Sequence, residues 1–284
     1  MVHPQGALAQ RLRTAGVAQC QLRTGAGVAP LHALWFKTVM GTALLLDKQP
    51  CTLSVPRPQS SPCMVLTGFE AFGDDPSGQG LNPSAMVAQA LNGLTISKHR
   101  LVTAVLPCAF GAAVTALQAL VNQHRPALVV CLGQAGGARG IRLERIAVNL
   151  DDAPLPDNAG VCLRDQPVIA GAPAAYFSTL PIKNMQAALQ REGVACELSS
   201  SAGNFVCNHV FYALMHTLGG RTALGRSLRR GKAVGGFIHL PYLPQQATQA
   251  LMPSMALDEM VRGVYVALHA AVAAIAVSSV IIAK

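Results

Sequence analysis

Short apolar runs alternate with longer segments of helical periodicity from residue 64 onward. The runs predict strands over residues 64–69, 101–106, 127–133, 144–150 and 233–240. The helical patterns cover residues 83–93, 110–124, 181–192, 206–219 and 257–281. Alternation of this kind implies a mainly parallel twisted sheet with helices on both faces. We therefore predict an α/β protein, a single-domain three-layer α/β/α sandwich.

The first 63 residues lack this alternation. They contain six Lys or Arg residues against one acid, Asp47, and so contribute more than half of the formal net charge of +9. Their last part, 47–63, is a Pro/Ser-rich linker. We expect 1–63 to be an N-terminal extension, either poorly ordered or the product of a mis-assigned start, and 64–284 to form the α/β domain.

Two apolar stretches raise the question of a membrane segment, because the mean hydropathy is +0.36. The stretch 31–46 contains His32 and Lys37 and is not followed by a small-residue cleavage site, so it fits a signal peptide poorly. The stretch 264–283 is nearly long enough to span a bilayer, but it contains His269 and its apolar residues recur at three- and four-residue steps. We predict a packed C-terminal helix and no membrane partner; a membrane anchor is the alternative.

Composition also bears on partners and compartment. The eight cysteines form no CxxC pair, so neither a zinc site nor a disulfide framework is indicated, and reduced thiols in the cytoplasm fit best. Aromatic residues make up 5% of the chain and no basic face is interleaved with them, so we expect no nucleic acid partner. The glycine-rich stretch 133–140 lacks both the GxGxxG spacing and a Walker lysine, so nucleotide binding is not expected.

Ligands of open α/β sheets bind beyond the carboxyl ends of the strands. Cys207 lies in the first turn of the predicted helix 206–219, where the helix N-terminus favours a thiolate. An inert buried cysteine is the alternative. His239 ends a predicted strand and is the best-placed base, although a lone histidine at the end of a strand is more often a structural residue. His209 and His216 lie on the same helix as Cys207, and helical rotation or distance takes them away from it.

A third group is needed to orient the imidazole. Glu144 stands at the start of the predicted strand 144–150 and is a candidate for that role. An ordinary ion pair with Arg142 or Arg145 is the alternative.

Five motifs in one order carry a resemblance to a known family. They are TGFEAFG (67–73), GQAGG (133–137), LERIAVNLDDAPLPDN (143–158), SAGNFVCN (201–208) and GFIHLPYLP (236–244). As an ordered set they resemble the pyroglutamyl-peptidase I family of cysteine peptidases, also called pyrrolidone-carboxylate peptidases. The resemblance spans about 64–284.

The resemblance implies a catalytic triad of Glu144, Cys207 and His239. It implies an exopeptidase that releases N-terminal pyroglutamate (5-oxoproline) from peptides through a thioester acyl-enzyme, without a metal or cofactor. Peptides with N-terminal pyroglutamate would be its partners, and family members are often homotetramers. By the same resemblance the substrate pocket contains Phe69, Phe72, Gln134, Leu155, Phe205 and Val206.

Two departures from the family pattern qualify this hypothesis. Pro154 stands where members typically have an arginine, so the alternative is a catalytically impaired homologue that still binds pyroglutamyl groups. The separation of Cys207 from His239 looks long, and the excess falls in the basic stretch 219–233, which we predict to be a surface loop that leaves the strand of His239 intact.

Overall fold

The computed structural model describes residues 62–73, 78–219, 233–249 and 251–282, with side chains as far as residue 276. The predicted extension 1–63 lies outside the described residues except for Pro62 and Cys63. Most of the predicted surface loop 219–233 lies outside them as well. The expectations for both segments therefore stay predictions.

Nine strands and five α-helices are formed by the described residues. The strands are β1 (Cys63–Phe69), β2 (Thr95–Ile96), β3 (His99–Leu106), β4 (Leu128–Gln134), β5 (Ile141–Glu144), β6 (Ile146–Val148), β7 (Ala175–Phe177), β8 (Cys196–Ser199) and β9 (Val234–Leu240). The helices are α1 (Pro83–Ala90), α2 (Phe110–His124), α3 (Ile182–Arg191), α4 (Val206–Leu218) and α5 (Leu257–Ile282). A short 3₁₀ helix, Pro244–Gln246, follows β9.

Seven of these strands form one sheet in the order β2-β3-β1-β4-β9-β5-β8. The pairs β1–β3, β1–β4, β4–β9 and β5–β8 are parallel, whereas β2–β3 and β5–β9 are antiparallel. The predicted α/β fold with a mainly parallel sheet is therefore confirmed. Strands β6 and β7 form a separate antiparallel pair.

Helices cover both faces of the sheet. One buried apolar cluster joins residues of α1, α3 and α5 to one face, and a second joins residues of α2 and α4 to the other. Local sequence supports these elements: in α1, for example, the Asn82 side chain accepts a hydrogen bond from Ser84 N–H and Pro83 occupies the first turn, a good start for a helix.

The predicted strand 144–150 is wrong. Glu144 is the last residue of β5, and the chain leaves the main sheet at Arg145 to form β6. Arg145 N–H still bonds to Ser199 O of β8, but the carbonyl of Arg145 accepts from Ser178 N–H, outside the main sheet. The interpretation of Glu144 as a residue at the start of a strand is corrected accordingly.

Helix α5 contains a stretch, Leu257–Ala276, that is long and apolar enough to cross a membrane by length and composition. Such helices also occur in the cores of water-soluble proteins. In this chain one side of α5 is buried in the core, with Met260, Val264, Ala267, Leu268, Ala271 and Val272 at most 6% exposed. The helix therefore packs on the sheet, as the periodicity of its apolar residues predicts.

Candidate active site

Three neighbouring parallel strands end at one edge of the sheet. Strand β1 ends at Phe69, β4 at Gln134 and β9 at Leu240. Gly133 of β4 pairs in register with His239 of β9. Residues paired in register on neighbouring strands direct their side chains to the same face of the sheet. His239 therefore lies on the face that α2 and α4 cover.

Glu144 contacts His239 from the antiparallel neighbour of β9. Arg142 of β5 pairs with His239, and Leu143 pairs with Ile238. Glu144, the next residue of β5, therefore lies further from the carboxyl edge of the sheet than either. Its Oε1 is 2.8 Å from Nδ1 of His239, and the two residues are 0% and 5% exposed. Because a carboxylate only accepts hydrogen bonds, Nδ1 carries a proton and Nε2 is left as the proton acceptor.

Alternative partners for Glu144 were Arg142 and Arg145. Arg142 forms its ion pair with Glu197 instead. The second carboxylate oxygen of Glu144, Oε2, is buried and has no hydrogen-bond partner among the described residues. The carboxylate is thus committed to the imidazole of His239 and not to a surface cation.

Cys207 is the second residue of α4. The N-cap residue, Phe205, provides no side-chain hydrogen bond, and the first turn contains no acid. The N–H groups of that turn consequently remain available, as at any helix N-terminus without a cap. The thiol lies over Gly133: a Cβ atom at Gly133 would be 2.8 Å from Sγ of Cys207 and equally close to the ring of Phe237. The nucleophile candidate and His239 thus occupy the same face of the sheet.

Burial raises the pKa of the Cys207 thiol above its ordinary value, and the nearby acidic groups of Cys108, Glu144 and Cys131 raise it further. A hydrogen bond from its own backbone N–H opposes this shift in part. The isolated thiol is therefore protonated at neutral pH. A base must accept its proton for a thiolate to form, and His239 is the base on the same face.

The neighbouring cysteines, Cys131 and Cys108, belong to the core. Burial raises the pKa of Cys131 and of Cys108 to about 12, with Asp157 and Glu70 adding to the shift at Cys108. They are 0% and 2% exposed. Both behave as small apolar core residues.

An aromatic cluster lies beside the first turn of α4. The ring centroids of Phe72 and Phe205 are 5.7 Å apart, and Phe110 contacts Phe205 edge to face at 5.5 Å. Leu155 lies beside Gly73, the residue after Phe72, because a Cβ at Gly73 would be 3.2 Å from its Cδ1. The structure thus brings two predicted pocket residues, Phe72 and Phe205, into contact, and places a third, Leu155, beside the residue that follows Phe72.

The other predicted pocket residues have different environments. Phe69 and Val206 are 1% and 0% exposed and belong to the buried cluster under α2 and α4, with Phe69 packed on Phe237. Gln134 is half-buried at the end of β4. Contact of these three residues with a substrate stays a prediction.

The segment carrying Pro154 is fixed from both sides. Asp157 accepts hydrogen bonds from the N–H groups of Phe110, Ala159 and Val161. Asp152 N–H bonds to Asn204 O, in the loop before α4. Pro154 itself is exposed. The substitution therefore leaves the Glu144–His239 pair intact.

Sequence reasoning missed several supporting residues. Asn208 is fully buried and binds the backbone of Val148 and Leu150, which ties α4 to the chain after β6. His209 forms a second histidine–carboxylate pair, with Nδ1 2.7 Å from Oδ2 of Asp151. A polar residue beside the nucleophile is a weak signal by itself, and the partners are about 58 to 60 positions away in sequence.

A thiol at a helix N-terminus, an imidazole and an orienting carboxylate on an α/β sheet form the arrangement of a cysteine hydrolase. Residues 63–274 match the family model described as pyroglutamyl peptidase. The chain therefore belongs to the pyroglutamyl peptidase family.

Individual proteins support this assignment. The chain is 46% identical over 211 residues to a pyrrolidone-carboxylate peptidase of Cupriavidus taiwanensis, which covers 74% of this chain and 93% of that protein. It is 44% identical over 209 residues to one from an Enterobacter species, covering 73% and 92%.

Solved structures give the same result. The crystal structure of pyroglutamyl peptidase I from Bacillus amyloliquefaciens superimposes with a TM-score of 0.67 at 36% identity, over 75% of this chain and 97% of that chain. A variant of the pyrrolidone carboxyl peptidase of Pyrococcus furiosus gives 0.66 at 36% identity, over 74% and 97%.

Proposed function

We propose that this protein is a cysteine exopeptidase that releases N-terminal pyroglutamate from peptides. The observation that carries the proposal is the buried pair of Glu144 and His239 on the sheet face over which the Cys207 thiol lies. Membership of the pyroglutamyl peptidase family supplies the substrate class. The rival hypothesis of an impaired binding protein, based on Pro154, is not favoured by these comparisons.

The first half of the reaction acylates the enzyme. Nε2 of His239 accepts the proton of Cys207 while Glu144 holds the imidazole through Nδ1. The thiolate attacks the carbonyl carbon of the pyroglutamyl residue, and the resulting oxyanion is stabilised by N–H groups in the first turn of α4. The imidazolium then gives its proton to the leaving amine as the C–N bond breaks, which leaves a thioester.

The second half returns the enzyme to its initial state. His239 takes a proton from a water molecule, which attacks the thioester carbonyl. The C–S bond breaks, pyroglutamic acid leaves, and Cys207 recovers its proton from the imidazolium. Every proton in both halves passes through one nitrogen, Nε2 of His239.

The aromatic cluster suits the proposed substrate. Pyroglutamate is an uncharged five-membered lactam, so its recognition requires apolar walls and few polar contacts. Phe205 precedes the nucleophile by two residues and contacts Phe72, and Leu155 lies beside Gly73, so all three can supply apolar surface to the pocket. A charged N-terminal amine would lose its hydration in such a pocket, which disfavours ordinary peptides.

The direct test is hydrolysis of a pyroglutamyl arylamide by the full chain. Wild-type protein should release the arylamine, and both Cys207→Ala and His239→Gln should reduce kcat/KM by a factor of about 1000 or more. Cys196→Ala is the matched control, since this cysteine lies on β8 away from the site and its variant should keep wild-type rates. An active Cys207→Ala variant refutes the proposal.

Two further properties belong to the same proposal. A homotetramer in the cytoplasm fits the family resemblance and the eight cysteines without CxxC pairs. Light scattering of purified protein measures the oligomer, and fractionation of expressing cells measures its compartment.

A further inference from the structure

Gln246 connects three separate segments at the carboxyl edge of the sheet. It ends the 3₁₀ helix after β9 and is fully buried. Its Oε1 accepts a hydrogen bond from Leu243 N–H at 3.0 Å. Its Nε2 donates to Leu81 O at 3.1 Å and to Oε1 of Gln134 at 2.9 Å. Leu81 precedes α1, and Gln134 ends β4.

The backbone determines how both side-chain amides are turned. Leu243 N–H can only donate, so the oxygen of Gln246 must face it. The carbonyl of Leu81 can only accept, so the nitrogen of Gln246 must face that side. This nitrogen also faces Gln134, which must therefore present its oxygen, because two opposed NH₂ groups have no acceptor between them.

One chemical consequence follows for Gln134. With its oxygen engaged by Gln246, the side chain offers its NH₂ group to a ligand. Gln134 is half-buried and stands one residue beyond Gly133, over which the Cys207 thiol lies. The NH₂ group of this side chain is thus turned to donate a hydrogen bond to an acceptor on a ligand.

We propose that Gln246 is a positioning residue that holds Gln134 as a hydrogen-bond donor, so that the site selects an N-terminal residue whose ring carries a carbonyl acceptor. The inference rests on the proposed function and deepens it. The ring carbonyl of the lactam is the acceptor in question. A ring without it leaves the donor unpaired, which is the arrangement that gives strong discrimination between otherwise similar substrates.

Two substrates and two variants test whether Gln246 positions Gln134 as a hydrogen-bond donor. The substrates are the pyroglutamyl arylamide and its thiolactam analogue, in which a sulfur atom, a poor acceptor, replaces the ring oxygen. In wild-type protein the thiolactam should raise KM about tenfold, the equivalent of one hydrogen bond. Gln246→Leu should raise KM for the lactam by a similar factor with a smaller effect on kcat, and should abolish the difference between the two substrates. Gln134→Met should do the same.

The matched control is Gln245→Leu, because Gln245 is the exposed neighbour on the same turn. It should retain wild-type KM values for both substrates. The double variant Gln134→Met/Gln246→Leu should raise KM no further than Gln134→Met alone, since both changes remove one hydrogen bond. A residue that only stabilised the loops would lower the melting temperature of Gln246→Leu without changing the substrate preference.

Three results would overturn the inference. They are an unchanged KM in Gln246→Leu, a thiolactam penalty that persists in that variant, and additive effects in the double variant. Should Gln246→Leu fail to fold, Gln246→Met takes its place, because it keeps the length of the side chain but has no amide to donate to Gln134. Failure of the proposed function is a different observation: wild-type protein would then not turn over the lactam substrate at all.

Discussion

The sulfur of Cys207 lies so close to Gly133 that the glycine has no room for a side chain. A Cβ atom there would be 2.8 Å from Sγ and from the ring of Phe237. The absence of a side chain on β4 is therefore a condition for the thiol's position. It also explains why a glycine follows five apolar residues at the last but one position of β4.

Gly133→Ala should displace the Cys207 thiol and reduce kcat/KM by about 100-fold, the effect of a shift near 1 Å in a catalytic group. The rate of arylamide hydrolysis measures this loss of kcat/KM. Gly111→Ala, in the exposed first turn of α2 with no atom near the added methyl group, is the control and should keep full activity. Equal activity of the two variants would contradict the steric argument.

Glu144→Gln should reduce kcat by about 1000-fold or more while KM changes little. The amide can donate to Nδ1 of His239 and so stabilise the wrong tautomer, with the proton on the nitrogen that should face the thiol. Stopped assays at saturating substrate measure kcat. Glu197→Gln, which breaks the exposed pair with Arg142, should leave kcat unchanged. A loss of kcat there would mean that negative charge near β5, and not the contact with the imidazole, matters.

Only one of the two histidine–carboxylate pairs should be catalytic. His209→Gln breaks the pair with Asp151 and should lower the free energy of unfolding by about 3 kcal/mol, because it strands a carboxylate that is 1% exposed. Its kcat should stay within about tenfold of wild type, whereas His239→Gln loses about 1000-fold. Urea unfolding and arylamide kinetics on the two variants provide the comparison. A similar loss of kcat in both would place His209 in the reaction.

Alkylation of Cys207 should depend on His239. Burial and nearby acidic groups raise the thiol pKa, so a thiolate forms near neutrality only when the imidazole takes the proton. At pH 7, iodoacetamide should therefore modify Cys207 much more slowly in His239→Gln, and the rate in this variant should rise only at pH values above those that suffice for wild type. Mass spectrometry of the tryptic peptide gives the rate. Equal rates at pH 7 would show that His239 is not the base.

Buried thiols should make the fold sensitive to alkali. The pKa of Cys131 is raised from 9.0 to about 12 by burial, so the folded chain retains a proton that the unfolded chain releases. Its contribution to stability is complete below pH 9 and is lost as pH rises towards 12, with a slope of up to about 1.4 kcal/mol per pH unit. Urea unfolding between pH 8 and pH 11 should show this decline, and Cys131→Ala should have a flatter curve. If the stabilities of wild type and Cys131→Ala declined in parallel with pH, the buried Cys131 thiol would not be the cause of the decline.

Much of the fold was predictable because its long elements carry strong periodic signals. The bounds of α2 match the prediction, and β1, β4 and β9 differ from it by one residue at either end at most. The prediction failed at β5, whose four residues end at Glu144. Short strands have too few residues for a pattern, and pairing with β9 decides where this one ends. Strands β2, β7 and β8 were missed for the same reason.

The candidate site was predictable to the extent that it follows from motifs. Family motifs point to Glu144, Cys207 and His239, and the first and third do meet in space. The role of Gln246 could not be inferred, because its partner Gln134 is 112 positions away in sequence and a glutamine in a loop carries no pattern. Contacts that depend on tertiary structure leave no local signal.

The position of β9 has a consequence for the synthesis and folding of the protein. This strand comes late in the chain, yet it occupies the middle of the sheet, between β4 and β5. A ribosome therefore exposes Cys207 and Glu144 before the strand that carries the base exists. A chain interrupted before Val234 has a nucleophile but no means of activating it, and insertion of β9 completes the core and the peptidase in one event. The topology thus ties the completion of the proposed triad to the completion of the sheet.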